Sequence, residues 1–407
     1  MAEKVIFHID VNSAFLSWEA VYRKKYLNES VDLRDIPSAV GGDREKRHGI
    51  ILAKSIPAKK YQIRTGEPVA DALRKCPSLV LVPPNHAWYE TCSKAFIKIL
   101  KEYSDVVEQY SIDEAFVDMS GTKKLFGTPV KAAENIKDRI YRELGFTVNV
   151  GVSSNKLLAK MASDFKKPNL VHTLFPEEIE KKMWPLPVRD LFFVGSASEK
   201  KLKSIGIRTI GDLAKTDVKV LKGILKKQGE TIWNFANGID TAMVEPMSVD
   251  NKGYGNSLTI SFDVTEEETA KMILLSLAET VGERLRKDGA RIEVVSVTIR
   301  FFDFSQVSHQ RVLPVSTNIT KEIYETACDL FHELWDGTPI RLLGIQTARA
   351  SKSEGNRQMS LFDDTDYDKL EKLDEAVDRI RERFGTDAIK RASFLMKEKG
   401  EDSNRKG

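Results

Sequence analysis

Cysteine is scarce in this chain. Only Cys76, Cys92 and Cys328 occur in 407 residues, far apart and without metal-ligand spacing. That pattern argues against a disulfide framework or a thiolate metal centre and fits structural thiols in a reducing compartment. Long apolar runs are missing too, and no secretory leader is visible, so a cytoplasmic protein without a membrane partner is expected. A charge excess of one sign is also lacking. Lys and Arg number 63 against 60 Asp and Glu, a formal net charge of +3, which is only a slight bias toward polyanions. No repeats at about 20–50 residues are present. Hydrophobic residues make up 41% of the chain, enough for large cores, and 407 residues exceed what one core organises. Roughly two to four domains are expected.

What is present is unevenly placed. The run Val5-Ile6-Phe7-His8-Ile9 ends on Asp10, and about a hundred residues later Ser111-Ile112-Asp113-Glu114-Ala115-Phe116-Val117-Asp118 sets two carboxylates between strand-like stretches. Taken singly, an aspartate at a strand end is usually a cap and an Asp-Glu pair at a hairpin tip is usually a solvated turn. Taken together, carboxylates at the ends of buried strands repel one another and resist desolvation unless a cation compensates. Three of them make an oxygen-rich site that Mg²⁺ accepts while leaving room for substrate phosphates. That is the chemistry of two-metal phosphoryl transfer.

The pattern along the chain predicts a strand over 4–10, then a helix over 13–26 with Ala14, Leu16 and Trp18 among its apolar positions. A small, basic, Gly/Pro-punctuated region reaches Pro77. A helix over 87–103, a hairpin pairing 106–110 with 115–119, a helix over 129–143 and a strand over 146–152 follow. Ser154 is the expected N-cap of the next helix, whose apolar face carries Leu157, Leu158, Met161, Ala162 and Phe165. Without the inserted region the order is strand, helix, hairpin, helix, strand, a ferredoxin-like sheet backed by helices. Residues 176–240 read as short helices rich in lysine (Lys200, Lys201, Lys203, Arg208, Lys215, Lys219, Lys222, Lys226, Lys227), with Gly195, Gly206 and Gly211 between them. Such a run is either a solvated face or a set of hairpins aimed at phosphates. After a polar connector, strands over 258–263, 294–302 and 342–349 and helices over 266–287 and 319–335 predict a separate α+β domain. A polar tail ends in an amphipathic stretch with Leu370, Leu373, Val377, Ile380 and Phe384 at helical spacing.

Four ordered blocks, HIDVNSAF from His8, AVGGDREKRHGII from Ala39, SIDEAFVD from Ser111 and GVSSNKLLAKMASDFKKPNL from Gly151, resemble the Y family of DNA polymerases. These are the translesion enzymes, and the likeness is strongest to their bacterial polymerase IV branch. The resemblance implies an α+β multidomain protein: a ferredoxin-like palm (1–22 and 78–175), small fingers (23–77), a helical thumb (176–240), a linker (241–252) and a separate α+β little finger (253–350). The remaining 351–407 would be a flexible tail carrying a clamp-binding peptide and a C-terminal helix. It also implies that Asp10, Asp113 and Glu114, with the Val11 carbonyl, hold two Mg²⁺ ions. Phe15 falls at the position of a steric gate against the 2′-hydroxyl, and Lys167 at that of a triphosphate contact; their plain alternatives are a core aromatic and a surface lysine. Ser55 and Lys59 align with a nucleotide-binding stretch of the fingers, and Leu52 with the roof of the template pocket.

The chain departs from the family in two places. Where the family carries a Tyr and an Arg that grip the triphosphate, this chain has Ile56 and Lys59, which lack a hydroxyl and a bidentate fork respectively. The turn Val194-Gly195-Ser196-Ala197 lacks a second glycine. In the tail, Gln358, Leu361 and Phe362 resemble a peptide that docks on the sliding clamp, two large apolar anchors in a polar stretch. The expected activity is low-fidelity DNA synthesis by a monomer on primer-template DNA with deoxynucleoside triphosphates. A clamp-bound DNA-binding factor with weak or no synthesis of its own, and a nucleotidyl cyclase sharing the sheet, are the competing readings.

Overall fold

The computed structural model describes residues 4–42, 49–246, 250–352 and 366–392, which divide into two compact units on either side of 247–249. The first unit opens with β1 (Ile6–Val11) and α1 (Ala14–Tyr26). There follow β2 (Ser38–Gly41), β3 (Ile51–Lys54), α2 (Ile56–Lys59), α3 (Val69–Lys75) and β4 (Val80–Val82). Next come α4 (His86–Leu100), β5 (Val107–Gln109), β6 (Glu114–Asp118), α5 (Lys123–Phe126), α6 (Pro129–Leu144), β7 (Val148–Ser153), α7 (Lys156–Ser163) and β8 (Val171–Thr173).

The main sheet runs β5-β6-β1-β7-β8. Its first four strands are antiparallel in the expected order, and β8 adds a fifth strand parallel to β7. Three residues are too few for β8 to show a period. Every residue of β1 is buried, because helices cover both faces. On one side Phe7, Ile9 and Val117 pack with Trp18, Tyr89, Phe96, Ile136 and Ile140 of α1, α4 and α6. Burying each such side chain is worth roughly 1.5–3 kcal/mol. On the other side α7 lies against the sheet at Gly151, where a Cβ would stand 1.9 Å from the Ala159 carbonyl oxygen. Only glycine allows that approach.

Several details differ from expectation. Asn155, not Ser154, caps α7: its Oδ1 accepts from Leu158 N at 2.8 Å while its Nδ2 donates to the Gly238 carbonyl at 2.9 Å. An amide can make both bonds in these opposed directions. The apolar face of α7 (Leu157, Leu158, Met161, Ala162) joins the core of the following helices rather than the sheet. The sheet β3-β2-β4 reaches Val82, past the boundary expected at 77, because β4 pairs in parallel with β2.

The helices α8 (Ile179–Lys182), α9 (Ser196–Ser204), α10 (Ile210–Lys215), α11 (Val218–Leu225) and α12 (Lys227–Ala236) gather around Leu202, Ile210, Leu213, Leu221 and Ile232. All nine basic residues named above are exposed there, with Lys203 and Lys222 paired to Glu199 and Glu230. Gly211 is not a hairpin residue. It lies inside α10 against Trp184, where a Cβ would meet the tryptophan Cβ at 3.0 Å. At the turn before α9, Phe193 takes the left-handed φ of 74° and Gly195 does not. The first part of the expected linker is also fixed, since Val244 packs with Ile6, Phe116 and Ala159.

The second unit contains β9 (Gly255–Val264), α13 (Glu267–Lys287), β10 (Ile292–Phe301), β11 (Gln306–Thr317), α14 (Thr320–Leu334), β12 (Ile340–Ala348) and α15 (Tyr367–Phe384). Its antiparallel sheet runs β11-β10-β12-β9 and packs one face on α13 and α14. The sequence reading missed β11. It is a polar edge strand containing Pro314, a residue tolerated there because an edge leaves ladder positions unpaired.

The expected tail helix α15 is not free. It docks through charge: Arg286 reaches Asp374 at 3.2 Å and Asp378 at 2.6 Å, Arg381 reaches Glu279 at 3.0 Å, and Thr320 N donates to Asp374 at 2.7 Å. The apolar stripe is only partly covered: Leu370 and Val377 are half-buried, while Leu373 is 51% and Phe384 66% exposed. Losing one partner of such a buried network costs about 3–5 kcal/mol. Asp374→Ala should accordingly release α15 to limited proteolysis and lower the melting temperature, whereas Leu373→Asp should leave both unchanged.

Candidate active site

The pairing of β1 with β6 builds the site. Asp10 and Glu114 are direct register partners, and Val11 N donates to the Asp113 carbonyl at 3.0 Å. The two acidic clusters are therefore joined backbone to backbone at one end of the sheet. Asp113 stands in the bend before β6, where Ser111 Oγ donates to its Oδ1 at 2.7 Å. Asp10, Val11, Asp113 and Glu114 thus occupy neighbouring backbone positions.

Their electrostatics differ from those of solvated acids. Burial raises Asp10 to about 7, with the Lys167 ammonium opposing and the Glu114 charge adding to the rise. Burial likewise raises Asp113, and Glu114 contributes. For Glu114, burial is outweighed by the nearby His8 ring and by the hydrogen bond and charge of Lys160, which hold it well below the usual carboxylate range. Two lysines compensate the cluster. Lys167 Nζ lies 2.8 Å from Asp10 Oδ1 and 2.9 Å from Asp164 Oδ1, and Lys160 Nζ lies 2.8 Å from Glu114 Oε2. Among the described residues no three acidic, His or Cys side chains converge as a ready cation cage. Two of the three carboxylates are instead engaged by ammonium groups. The donor set, all oxygen and carboxylate-rich on adjacent backbone positions, suits a hard cation such as Mg²⁺.

Buried amides hold Lys167 in place. Asn12 and Asn149 are joined at 3.2 Å; Asn149 Nδ2 donates to the Lys166 carbonyl at 2.8 Å, and Asn169 N donates to Asn12 Oδ1 at 2.9 Å. This staples the 166–170 loop to β1 and β7. His8 is fully buried on the other side, with Nδ1 2.7 Å from Ser163 Oγ and Nε2 3.5 Å from Glu114 Oε2. Burial lowers its pKa. The sequence reading missed His8, Asn12, Asn149 and Lys160. The available signal was polar side chains inside otherwise apolar strands and a lysine on an apolar helix.

The other candidates are less uniform. Phe15, in the first turn of α1, is half-buried and stacks on Tyr89 with centroids 4.8 Å apart and planes at 15°, while the His86 ring meets it edge-on at 6.0 Å. Ser55 is corrected. It is buried, its Oγ donates to the Ile36 carbonyl at 2.7 Å, and it accepts from Ser38 N and Ala58 N at 3.1 Å each. A hydroxyl so committed caps α2 and has nothing left for a nucleotide. Lys59 and Ile56 are exposed. Leu52 is half-buried against the cluster of Leu16, Leu33, Val40 and Val82. Gln358, Leu361 and Phe362 lie outside the described residues.

Comparison with known proteins covers most of the chain. Residues 9–164 match the impB/mucB/samB family, residues 251–361 the C-terminal domain of the same family, and residues 189–240 a DNA polymerase-iota thumb domain. The chain is 45% identical to a DNA polymerase IV of Clostridium acetobutylicum, covering 97% of this chain and 99% of that protein. It is 42% identical to a DNA polymerase IV of Acetivibrio thermocellus over 97% and 98%. A solved Y-family DNA polymerase chimera shares the fold, with a TM-score of 0.74 at 24% identity over 84% of this chain and 98% of the other.

The raised pKa of Asp10 has a consequence for stability. An acid whose folded pKa exceeds its unfolded value of about 3.9 weakens the fold progressively as pH rises from that value to the folded one. Asp10→Asn should therefore raise the melting temperature of the metal-free protein at pH 8. The gain should shrink as pH falls toward 4 and vanish below it, where the folded carboxyl is already neutral and the unfolded one becomes so. A gain independent of pH would contradict the assignment.

Proposed function

Because this chain belongs to the Y family of DNA polymerases, in the DNA polymerase IV branch, we propose that Asp10, Asp113 and Glu114 are the carboxylates at which it extends a primer. The protein is a DNA-directed DNA polymerase of the translesion class, acting on template DNA and deoxynucleoside triphosphates. That activity removes the cyclase and the non-synthetic accessory factor as readings. The observation that carries the site assignment is the register that sets Asp10 opposite Glu114 with Asp113 one residue away.

The oxygen donors suit two Mg²⁺ ions: the three carboxylates and the Val11 carbonyl would hold them, and bound there they would supply activation of the primer hydroxyl and neutralisation of the triphosphate. Lys167 is pre-positioned by the asparagine staple and can exchange its carboxylate partners for phosphate oxygens. Lys59 offers a second ammonium from the fingers, as a point charge without the fork of arginine. Phe15 excludes a 2′-hydroxyl by clash, its ring held between Tyr89 and His86. Leu52 narrows the template pocket from the finger cluster it packs on. The exposed lysines of 200–227 bind the DNA backbone, and Leu361 and Phe362 anchor a sliding clamp, with Gln358 at the rim. The palm, fingers, thumb and little finger take the boundaries read from the sequence, except that the fingers run to Val82. The protein acts as a monomer.

Replacing Asp113 and Glu114 together by alanine should reduce nucleotide addition to background while leaving DNA binding and its steep salt dependence in place. Retained primer extension in that protein would remove the carboxylates from the chemistry.

Phe15→Ala should lower discrimination against ribonucleotides by roughly 10–200-fold, since the selection rests on clash. Single-nucleotide insertion with paired ribo- and deoxyribonucleotides measures it, and unchanged discrimination would make Phe15 a packing residue only.

A further inference from the structure

The two oxygens of Glu114 are not equivalent. Oε2 receives the Lys160 ammonium at 2.8 Å and faces His8 Nε2 at 3.5 Å. Among the described residues, no hydrogen bond is made to Oε1. Lys160 is itself enclosed: it is 8% exposed, and its Nζ lies 5.6 Å from the Tyr110 ring centroid and 5.5 Å from that of Phe192. Those two rings meet edge to face at 6.5 Å. A buried ammonium is costly unless a carboxylate and π faces compensate it, and here all three do. Lys167, by contrast, is more exposed and bridges two carboxylates, as suits a group that hands itself to substrate.

The walls of this enclosure come from separate elements. Glu114 and Tyr110 belong to the β5–β6 hairpin region and Lys160 to α7, which only Gly151 allows to approach the sheet. Phe192 lies in the loop before α9, within the segment that matches a polymerase thumb domain. Its backbone is tied to α7, with N 3.4 Å from Met161 Sδ.

We propose that Lys160 is a positioning residue that pins Glu114 by one oxygen, within an aromatic enclosure to which the thumb contributes Phe192. Glu114 then presents Oε1 alone to the cation, and a shift of the thumb loop alters how firmly that carboxylate is held. The proposal rests on Glu114 being a catalytic carboxylate. It separates Lys160 from Lys167: one fixes a ligand, the other meets substrate.

The test compares Lys160→Gln, Lys160→Arg and Phe192→Leu with the parent and with Glu114→Ala. Three quantities are read: Mn²⁺ binding to the protein–DNA complex by electron paramagnetic resonance, the single-turnover rate and KM for the incoming nucleotide, and the melting temperature. Lys160→Gln should slow the chemical step by about 10–100-fold with KM unchanged, the usual effect of losing the group that orients a metal ligand. It should also tighten Mn²⁺ binding, because a neutralising charge has gone. Phe192→Leu keeps apolar bulk without a π face and should shift both quantities the same way by less, and Lys160→Arg should restore much of the rate. A raised KM at unchanged rate would make Lys160 a substrate contact and overturn the proposal. So would Mn²⁺ binding that weakens in step with melting temperature. If Glu114→Ala is inactive while Lys160→Gln matches the parent, the positioning role alone fails; if Glu114→Ala retains synthesis, the reading of the site fails with it.

Discussion

Three carboxylates on adjacent backbone positions at one end of a buried sheet are the constraint on which the first unit depends. The Glu114 charge opposes ionisation of both Asp10 and Asp113, and burial opposes the charge on all three. Left alone, such a cluster would protonate or open. Two ammonium groups oppose this, Lys167 on Asp10 and Lys160 on Glu114, each at 2.8 Å. The site is therefore partly neutralised before any cation arrives, with the Asp113 carboxyl held by the Ser111 hydroxyl rather than by an ammonium.

Much of the surrounding structure serves that balance. The β1–β6 register sets the acids side by side, and burial of β1 on both faces fixes where its last residues stand. Gly151 lets α7 approach β7, so that Lys160 reaches β6. Asn12 and Asn149 tie backbone groups of the 166–170 loop to β1 and β7, which sets where Lys167 stands. A cluster like this destabilises the fold it sits in, and the packed cores on either side offset that cost.

The legible parts of this fold were those with a period or an unusual pairing of residue types. The alternation and apolar runs around Asp10 and Asp113-Glu114 marked strands and acids together, and the helices near 86–100, 129–144 and 267–287 carried clear apolar stripes. What escaped reading depended on neighbours distant in sequence. The edge strand β11 is polar because one side faces solvent, and β8 is too short to show a period. Ser55 looked like a binding residue until its three backbone partners were known. The apolar spacing of α15 marked a helix but not its partner, and the helix docks by Asp374, Asp378 and Arg381 against Arg286 and Glu279. Charges distant in sequence cannot be paired by spacing alone. His8 and Lys160 escaped for the same reason, since their importance lies in the single oxygen of Glu114 that both approach.

The central claim is that Asp10, Asp113 and Glu114 together hold the cations for nucleotidyl transfer. Anomalous diffraction from crystals containing primer-template DNA, a non-hydrolysable deoxynucleoside triphosphate and Mn²⁺ tests it most directly. The account predicts two Mn²⁺ peaks among these three carboxylates, with Lys167 moved from Asp10 onto phosphate and Lys160 still on Glu114 Oε2. Peaks held by other side chains, or a complex in which Asp10 and Glu114 keep their lysines and bind no metal, would contradict it.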